Sequence, residues 1–158
     1  MSLQDIYQEV LLAHNENPNN FRVLDKPSHS AHGSNPLCGD ELNVYVNVHE
    51  GIVKELTFSG QGCAICKASA SLMTQSLEGK TTEQAIKEAE DFIVLLNDKN
   101  QTAPENLGER EALLGVRKFP ARLKCATLAW HAFLKAMHAN ANCQCNSNDK
   151  NCCGCCCH

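Results

Sequence analysis

Several things are missing from this sequence, and each absence closes off a class of function. No stretch reaches the roughly 18 consecutive apolar residues that a membrane-spanning helix needs. Positive charge is not in excess: the formal net charge is −4 and the isoelectric point lies near 5.9. The electrostatic footprint of a nucleic-acid-binding domain is therefore lacking. The opening residues, MSLQDIYQEV, are acidic and amphipathic where a secretory leader would be basic and then apolar, so the expected location is the cytoplasm. There is no glycine-rich nucleotide loop, no nucleophile–histidine–acid set and no internal repeat. These absences argue against a nucleic-acid partner, a membrane partner and a self-sufficient enzyme.

What is present reads as one globular domain. The chain has 158 residues, 43% of them hydrophobic and 20% charged, enough to bury a core and too apolar for general disorder. Eleven cysteines are an odd number, and a reducing compartment disfavours a disulfide framework. Their distribution poses two separate problems. Cys38, Cys63, Cys66 and Cys125 are spread over the body, and the other seven crowd between Cys143 and Cys157.

Periodicity predicts the elements. Leu3, Ile6, Tyr7, Val10 and Leu11 fall at helical spacing over residues 2–14, with Ser2 and Asp5 as a capping box. An Asn-, Pro-, Ser- and Gly-rich loop follows, with a third strand expected inside residues 20–36, at FRVL. Leu42, Val44, Val46 and Val48 alternate with polar residues as a half-buried strand does. The turn HEG leads from it into a second strand, IVKELTFSG, predicting an antiparallel hairpin.

Helical spacing then runs from Cys63 to a stop at Gly79. Thr81 caps a further helix whose stripe is Ala85, Ile86, Ala89, Phe92, Ile93 and Leu96. A short helix is expected around EREALLG. A last one starts near Pro120 and carries Leu123, Thr127, Trp130, Phe133, Leu134 and Met137 on one side. The order of elements argues for an α+β fold, a small antiparallel sheet of about three strands with helices on one face.

In that frame Cys38 precedes a strand, Cys63 opens a helix and Cys125 lies in the first turns of the last helix, beside Lys124 and three residues after Arg122. Helix N-termini and neighbouring cations favour the thiolate, the form that metal binding and sulfur chemistry require. Buried structural cysteines are the competing reading, since cysteine is among the most buried residue types. Gly39 and Gly62 permit close approach of a ligand to the backbone. Asp40, next but one to a thiol, suits a site where one cation binds both.

Three segments, NPLCGD, GQGCAICKASASLMTQSLEGK and FPARLKCATLAWHAF, resemble in order the signature segments of the NifU-like N-terminal family of U-type iron–sulfur cluster assembly proteins. The resemblance covers roughly residues 2–138, assigning residues 1–140 to one domain and 141–158 to a cysteine-rich tail. The long segment from 64 to 124, and Lys124 where IscU-type relatives carry histidine, are closer to the SufU branch than to the IscU branch. Carried over residue by residue, the resemblance implies a metal site of Cys38, Asp40, Cys63 and Cys125. Three thiolates and a carboxylate fit Zn²⁺, and the same set suits a [2Fe–2S] cluster or iron.

It further implies acceptance of persulfide sulfur from a pyridoxal-phosphate-dependent cysteine desulfurase; Cys38 is the expected acceptor, because a loop residue leaves a metal more easily than Cys63 or Cys125 on helices. The alternatives are a scaffold that builds a cluster for apo-proteins downstream, or a metal store working through the tail. Accessory roles are open for Lys124 and Arg122, whose other reading is solvated charge. Cys66 stands where the family usually has serine. Its two readings are a packed substitute and, with Cys63 in C-A-I-C, a zinc or redox motif. His14, His29 and His32 flank the loop before Cys38 and are not assigned to the site; His131 is expected to be a hydrogen-bonded or surface histidine. Trp130 and Phe133 are expected in the core or at an interface. The tail, CQCNSNDKNCCGCCCH, is low in complexity; its two readings are soft-metal capture and a disordered extension with reactive thiols and no defined task.

Overall fold

A computed structural model of the chain describes residues 3–36, 39–98, 100–102, 104 and 107–141. The expected cap at Ser2, the expected ligand Cys38 and the tail beyond Ala141 lie outside the described residues.

The element order is α1 (Leu3–Glu16), β1 (His29–Asn35), β2 (Asp40–His49), β3 (Ile52–Gln61), α2 (Ala64–Leu77), α3 (Thr82–Asn97), a 3₁₀ segment (Gly108–Lys118) and α4 (Pro120–Ala141). The strands form one antiparallel sheet in the order β1-β2-β3. Strict alternation on β2 buries Leu42, Val44 and Val46 completely, and their partners on β3 are Gly60, Phe58 and Leu56. Glu50 and Gly51, the two central residues of the β2–β3 turn, both have positive φ, 54° and 74°. That is the signature of a type I′ hairpin, whose twist matches that of the strands.

The third strand is not at FRVL. It is His29–Asn35, and Phe21 makes only an isolated parallel bridge to Phe58 with an edge-to-face ring contact at 5.1 Å. β1 is poor in apolar residues and follows no hydrophobic alternation. Backbone pairing to β2, from His29↔Val46 to Asn35↔Asp40, holds it in place. Helix α4 packs close behind it: a Cβ on Gly33 would stand 3.1 Å from Leu128 Cδ1.

The helix starts and stops follow the sequence. Gly79 takes positive φ, 90°, just past the end of α2. Thr81 and Gln84 close a full capping box on α3. The expected short helix is a 3₁₀ segment, tighter and longer than EREALLG. Helix α4 departs from the expected single stripe, because Cys125 through Trp130 are all buried. It lies against β1 and β2 on one side and α2 and α3 on the other, so its buried face is wider than one stripe, while Arg122, Lys124, His131 and Lys135 keep an exposed edge. Trp130 is the largest fully buried side chain; its Nε1–H donates to Ser69 Oγ at 2.9 Å, and the Ser69 hydroxyl donates to the Ala126 carbonyl. Phe92 leans on the indole with ring centroids 4.5 Å apart. This polar-tipped aromatic core fixes α4 against α2, and thus fixes Cys125 relative to Cys63.

Candidate metal centre

The end of β1, the start of β2 and the end of β3 lie side by side, because Asn35 pairs with Asp40 and Glu41 with Gln61. Two residues past β3, Cys63 becomes the N-cap of α2, with extended backbone at φ −68° and ψ 169°. The first turns of α4 bring Cys125 to the same corner. The ligand atoms of Asp40, Cys63 and Cys125 all lie within 4.8 Å of one another. The fold thus assembles three of the four expected ligands. Asn35 and Asp40 bracket the short connection that contains Cys38.

Each member of the cluster is held by a different contact. The Cys63 N–H is one of the donors that a helix start leaves without an internal partner, and it donates to Asp40 Oδ1 at 2.9 Å. The Cys63 side chain itself makes no capping bond, so the cap is supplied by Asp40 and the thiol points elsewhere. Asp40 is 0% exposed, and its Oδ2 is buried with no hydrogen-bond partner among the described residues. An ionised carboxylate buried with one oxygen unmatched costs on the order of several kcal/mol, and a cation removes that cost. Cys125 is also fully buried, and its Sγ accepts from Asn35 Nδ2 at 3.6 Å. An amide N–H aimed at sulfur is the outer contact that orients a thiolate ligand. Two thiols and a buried carboxylate with one oxygen unpartnered, only the half-buried Cys63 of the three being open to solvent, fit a metal ion of the zinc or iron class.

Gly62 is required by contact rather than by backbone angle. A Cβ there would stand 3.0 Å from both Asp40 Oδ1 and Cys66 Sγ. Gly60 is constrained more severely, with φ 123° and a virtual Cβ 2.1 Å from the Glu41 carbonyl oxygen. Both glycines let the end of β3 press against the start of β2, which brings Asp40 under Cys63.

The remaining candidates fall into place around this cluster. Cys66 is fully buried beside Gly62, next to the cluster without belonging to it. Lys124 is exposed, and no described hydrogen bond or ion pair joins it to the cluster. Arg122 is exposed and, with Leu11, Ile65, Leu114 and Phe119, lines a mainly apolar groove of about 430 Å³ beside it.

His14 is buried away from the site, bonded through Nδ1 to Ser71 Oγ at 2.7 Å and through Nε2 to Glu109 Oε2 at 2.9 Å. The His14 hydrogen bond, then one from Gln75, holds the Glu109 carboxyl below the usual glutamate range. His29 meets Ser28, and burial pulls its pKa down; His32 meets Asn43. His131 is exposed, whereas Trp130 and Phe133 are core. The sequence reading missed Asn35. Its signal was its place ahead of Pro36 in NPLCGD, where an amide at a strand end can reach a neighbouring segment.

The chain resembles known proteins over most of its length. Residues 6–126 match the family described as NifU-like N terminal domain. The chain is 40% identical over 136 residues to the zinc-dependent sulfurtransferase SufU of Bacillus subtilis, covering 86% of this chain and 92% of that one. It is 37% identical over 142 residues to the iron–sulfur cluster assembly scaffold protein IscU of Streptococcus pyogenes, covering 90% and 89%. The crystal structure of a candidate scaffold protein for the SUF system of Fervidobacterium islandicum superposes with a TM-score of 0.77 at 25% identity, over 86% of this chain and 99% of that one.

Proposed function

The chain belongs to the NifU-like N-terminal domain family of U-type iron–sulfur cluster assembly proteins, and from that premise we propose that it is a zinc-dependent sulfur acceptor. The observation that carries this reading is the buried Asp40 carboxylate, with one oxygen capping α2 and the other unpartnered, in a group with two thiols whose ligand atoms lie within 4.8 Å of one another. In this reading Asp40, Cys63 and Cys125 hold the ion and Cys38 completes a four-coordinate shell. Zinc supplies a fixed positive charge that keeps the sulfurs as thiolates at neutral pH. Asp40, the hard ligand among soft ones, is the arm that lets go most readily.

Sulfur arrives as a persulfide on a pyridoxal-phosphate-dependent cysteine desulfurase. The Cys38 thiolate attacks the outer sulfur, a new S–S bond forms on Cys38, the donor's S–S bond breaks and the donor cysteine leaves as thiolate. Cys38 is assigned this role because, by its place in the sequence, it falls between two strands, whereas Cys63 and Cys125 are held by helices. Iron–sulfur proteins or a further scaffold receive the sulfur in turn.

The second reading is a scaffold on which a cluster is built, favoured by the two clustered thiols, which suit iron and sulfide equally well. Lys124 in place of histidine favours the first. The deciding experiment is anaerobic purification followed by assay of zinc, iron and acid-labile sulfide in the parent, Asp40→Ala and Cys125→Ser. About one zinc per chain without sulfide, lost in Cys125→Ser, is the result expected of a four-coordinate site. Iron and sulfide in equal amounts, held longer by Asp40→Ala, would establish the scaffold instead.

A further inference from the structure

One more sulfur lies at the start of α2. Cys63 is the cap of the helix, half-buried, and its carbonyl accepts from the Lys67 N–H at 3.1 Å. Cys66 lies one turn inside and is 0% exposed. Helical side chains lean toward the helix N-terminus, and Cys66 does so: its Sγ and Cβ lie 3.0 and 3.1 Å from where a Gly62 Cβ would stand. The buried thiol therefore lies against Gly62, the residue immediately before the cap. Residues one turn apart have Cα atoms about 5 Å from each other, within the roughly 4.4–6.8 Å that a disulfide spans. A reachable cysteine at a helix cap, a shielded one a turn inside and an intervening pair of residues form the arrangement in which C-x-x-C pairs exchange with disulfides.

We infer that Cys63 and Cys66 are a two-electron redox pair that opens and closes the cluster. The oxidant is a low-molecular-weight disulfide. The Cys63 thiolate attacks one of its sulfurs, forming a mixed disulfide and expelling one thiolate. The Cys66 thiolate then attacks the Cys63 sulfur and expels the second. Two thiols of the chain become one disulfide, and the small disulfide becomes two thiols; a dithiol reverses both steps. Closing the bond takes the Cys63 sulfur away from Asp40 and Cys125. The pair exists whether or not the zinc reading holds, and metal release is its consequence where that reading does hold.

The sequence supplies a clean readout. Trypsin cuts after Lys54 and Lys67, so the peptide Glu55–Lys67 carries Cys63 and Cys66 and no other cysteine. The zinc-loaded full chain is equilibrated with mixtures of reduced and oxidised glutathione, quenched in acid, alkylated and digested. The expected product is this peptide unalkylated and two hydrogens lighter, in a fraction that rises with oxidised glutathione and returns to zero with dithiothreitol. Zinc appears in solution in step with it. In Cys66→Ser the reaction stops with glutathione on Cys63, and the lighter peptide disappears. The inference is overturned if the peptide stays doubly alkylated. It is equally overturned if Cys63 is joined to the peptide of Cys125 or of the tail while Cys66 reacts only after denaturation. A protein that forms the lighter peptide but never binds zinc would keep the redox pair and remove the sulfur-acceptor reading.

Discussion

Helices α2 and α3 begin in opposite ways. α3 closes its own start: the Thr81 hydroxyl accepts from the Gln84 N–H at 3.2 Å, and the Gln84 side chain accepts from the Thr81 N–H at 3.4 Å. α2 borrows its cap from a carboxylate 23 residues earlier in the chain, while its own cap side chain stays out of the bond. A locally closed start satisfies every group it uses and has nothing left for chemistry. A borrowed cap frees the cap cysteine and buries a carboxylate with one oxygen unmatched. The two starts differ by a few side chains, and only one of them is equipped to hold an ion.

The contrast can be broken most severely at Asp40. Asp40→Ala is expected to weaken zinc binding by about 100-fold or more, since a ligand contributes more than the outer contacts worth about 10–100-fold; competition with a chromogenic chelator measures it. Unchanged affinity would mean that the carboxylate serves α2 alone. Gly62→Ala comes next. Its methyl must displace Asp40 Oδ1 or Cys66 Sγ, so both stability and zinc affinity fall, stability by about 1–3 kcal/mol in chemical denaturation.

Thr81→Ala removes the local cap and costs about 1 kcal/mol while leaving zinc affinity untouched. A change in affinity there would show that the two helix starts are coupled. The smallest effect belongs to Glu109, a polar contact at neither helix start. Its pKa is depressed in the folded chain, so its contribution is present above the ordinary glutamate range and lost as pH falls through and below it. Glu109→Gln should flatten the acid side of the stability–pH curve, measured by thermal melts across that range.

The same contrast governs what could be read in advance. Thr81, Gly79, Pro120 and the alternation from Leu42 to Val48 are local signals, and the structure follows each of them. β1 was missed at its true position because an edge strand fixed by backbone pairing needs no apolar alternation. The wide buried face of α4 was missed because it depends on what surrounds the helix rather than on its own spacing. At the site, the residue types were legible one by one, and the family resemblance named them. That Asp40 caps α2, that Asn35 donates to Cys125 and that Gly62 is held between Asp40 and Cys66 are contacts between distant segments, and no window of sequence contains them.

One consequence of the cluster's construction concerns the chain as a polymer. Asp40, Cys63 and Cys125 are drawn from a strand, a helix start and a second helix far along the sequence, and they meet only in the folded state. An ion shared by all three ties off two long loops. Their closure entropy grows only slowly with length, so most of the cost is met by folding itself. Such an ion raises stability by mass action, by about 2.7 kcal/mol when present at 100 times its dissociation constant. In the unfolded chain this set of donors is dispersed, and any binding of the ion there, to the tail cysteines for example, subtracts from the gain. The melting temperature then becomes a thermometer of occupancy, rising and falling with the free ion concentration.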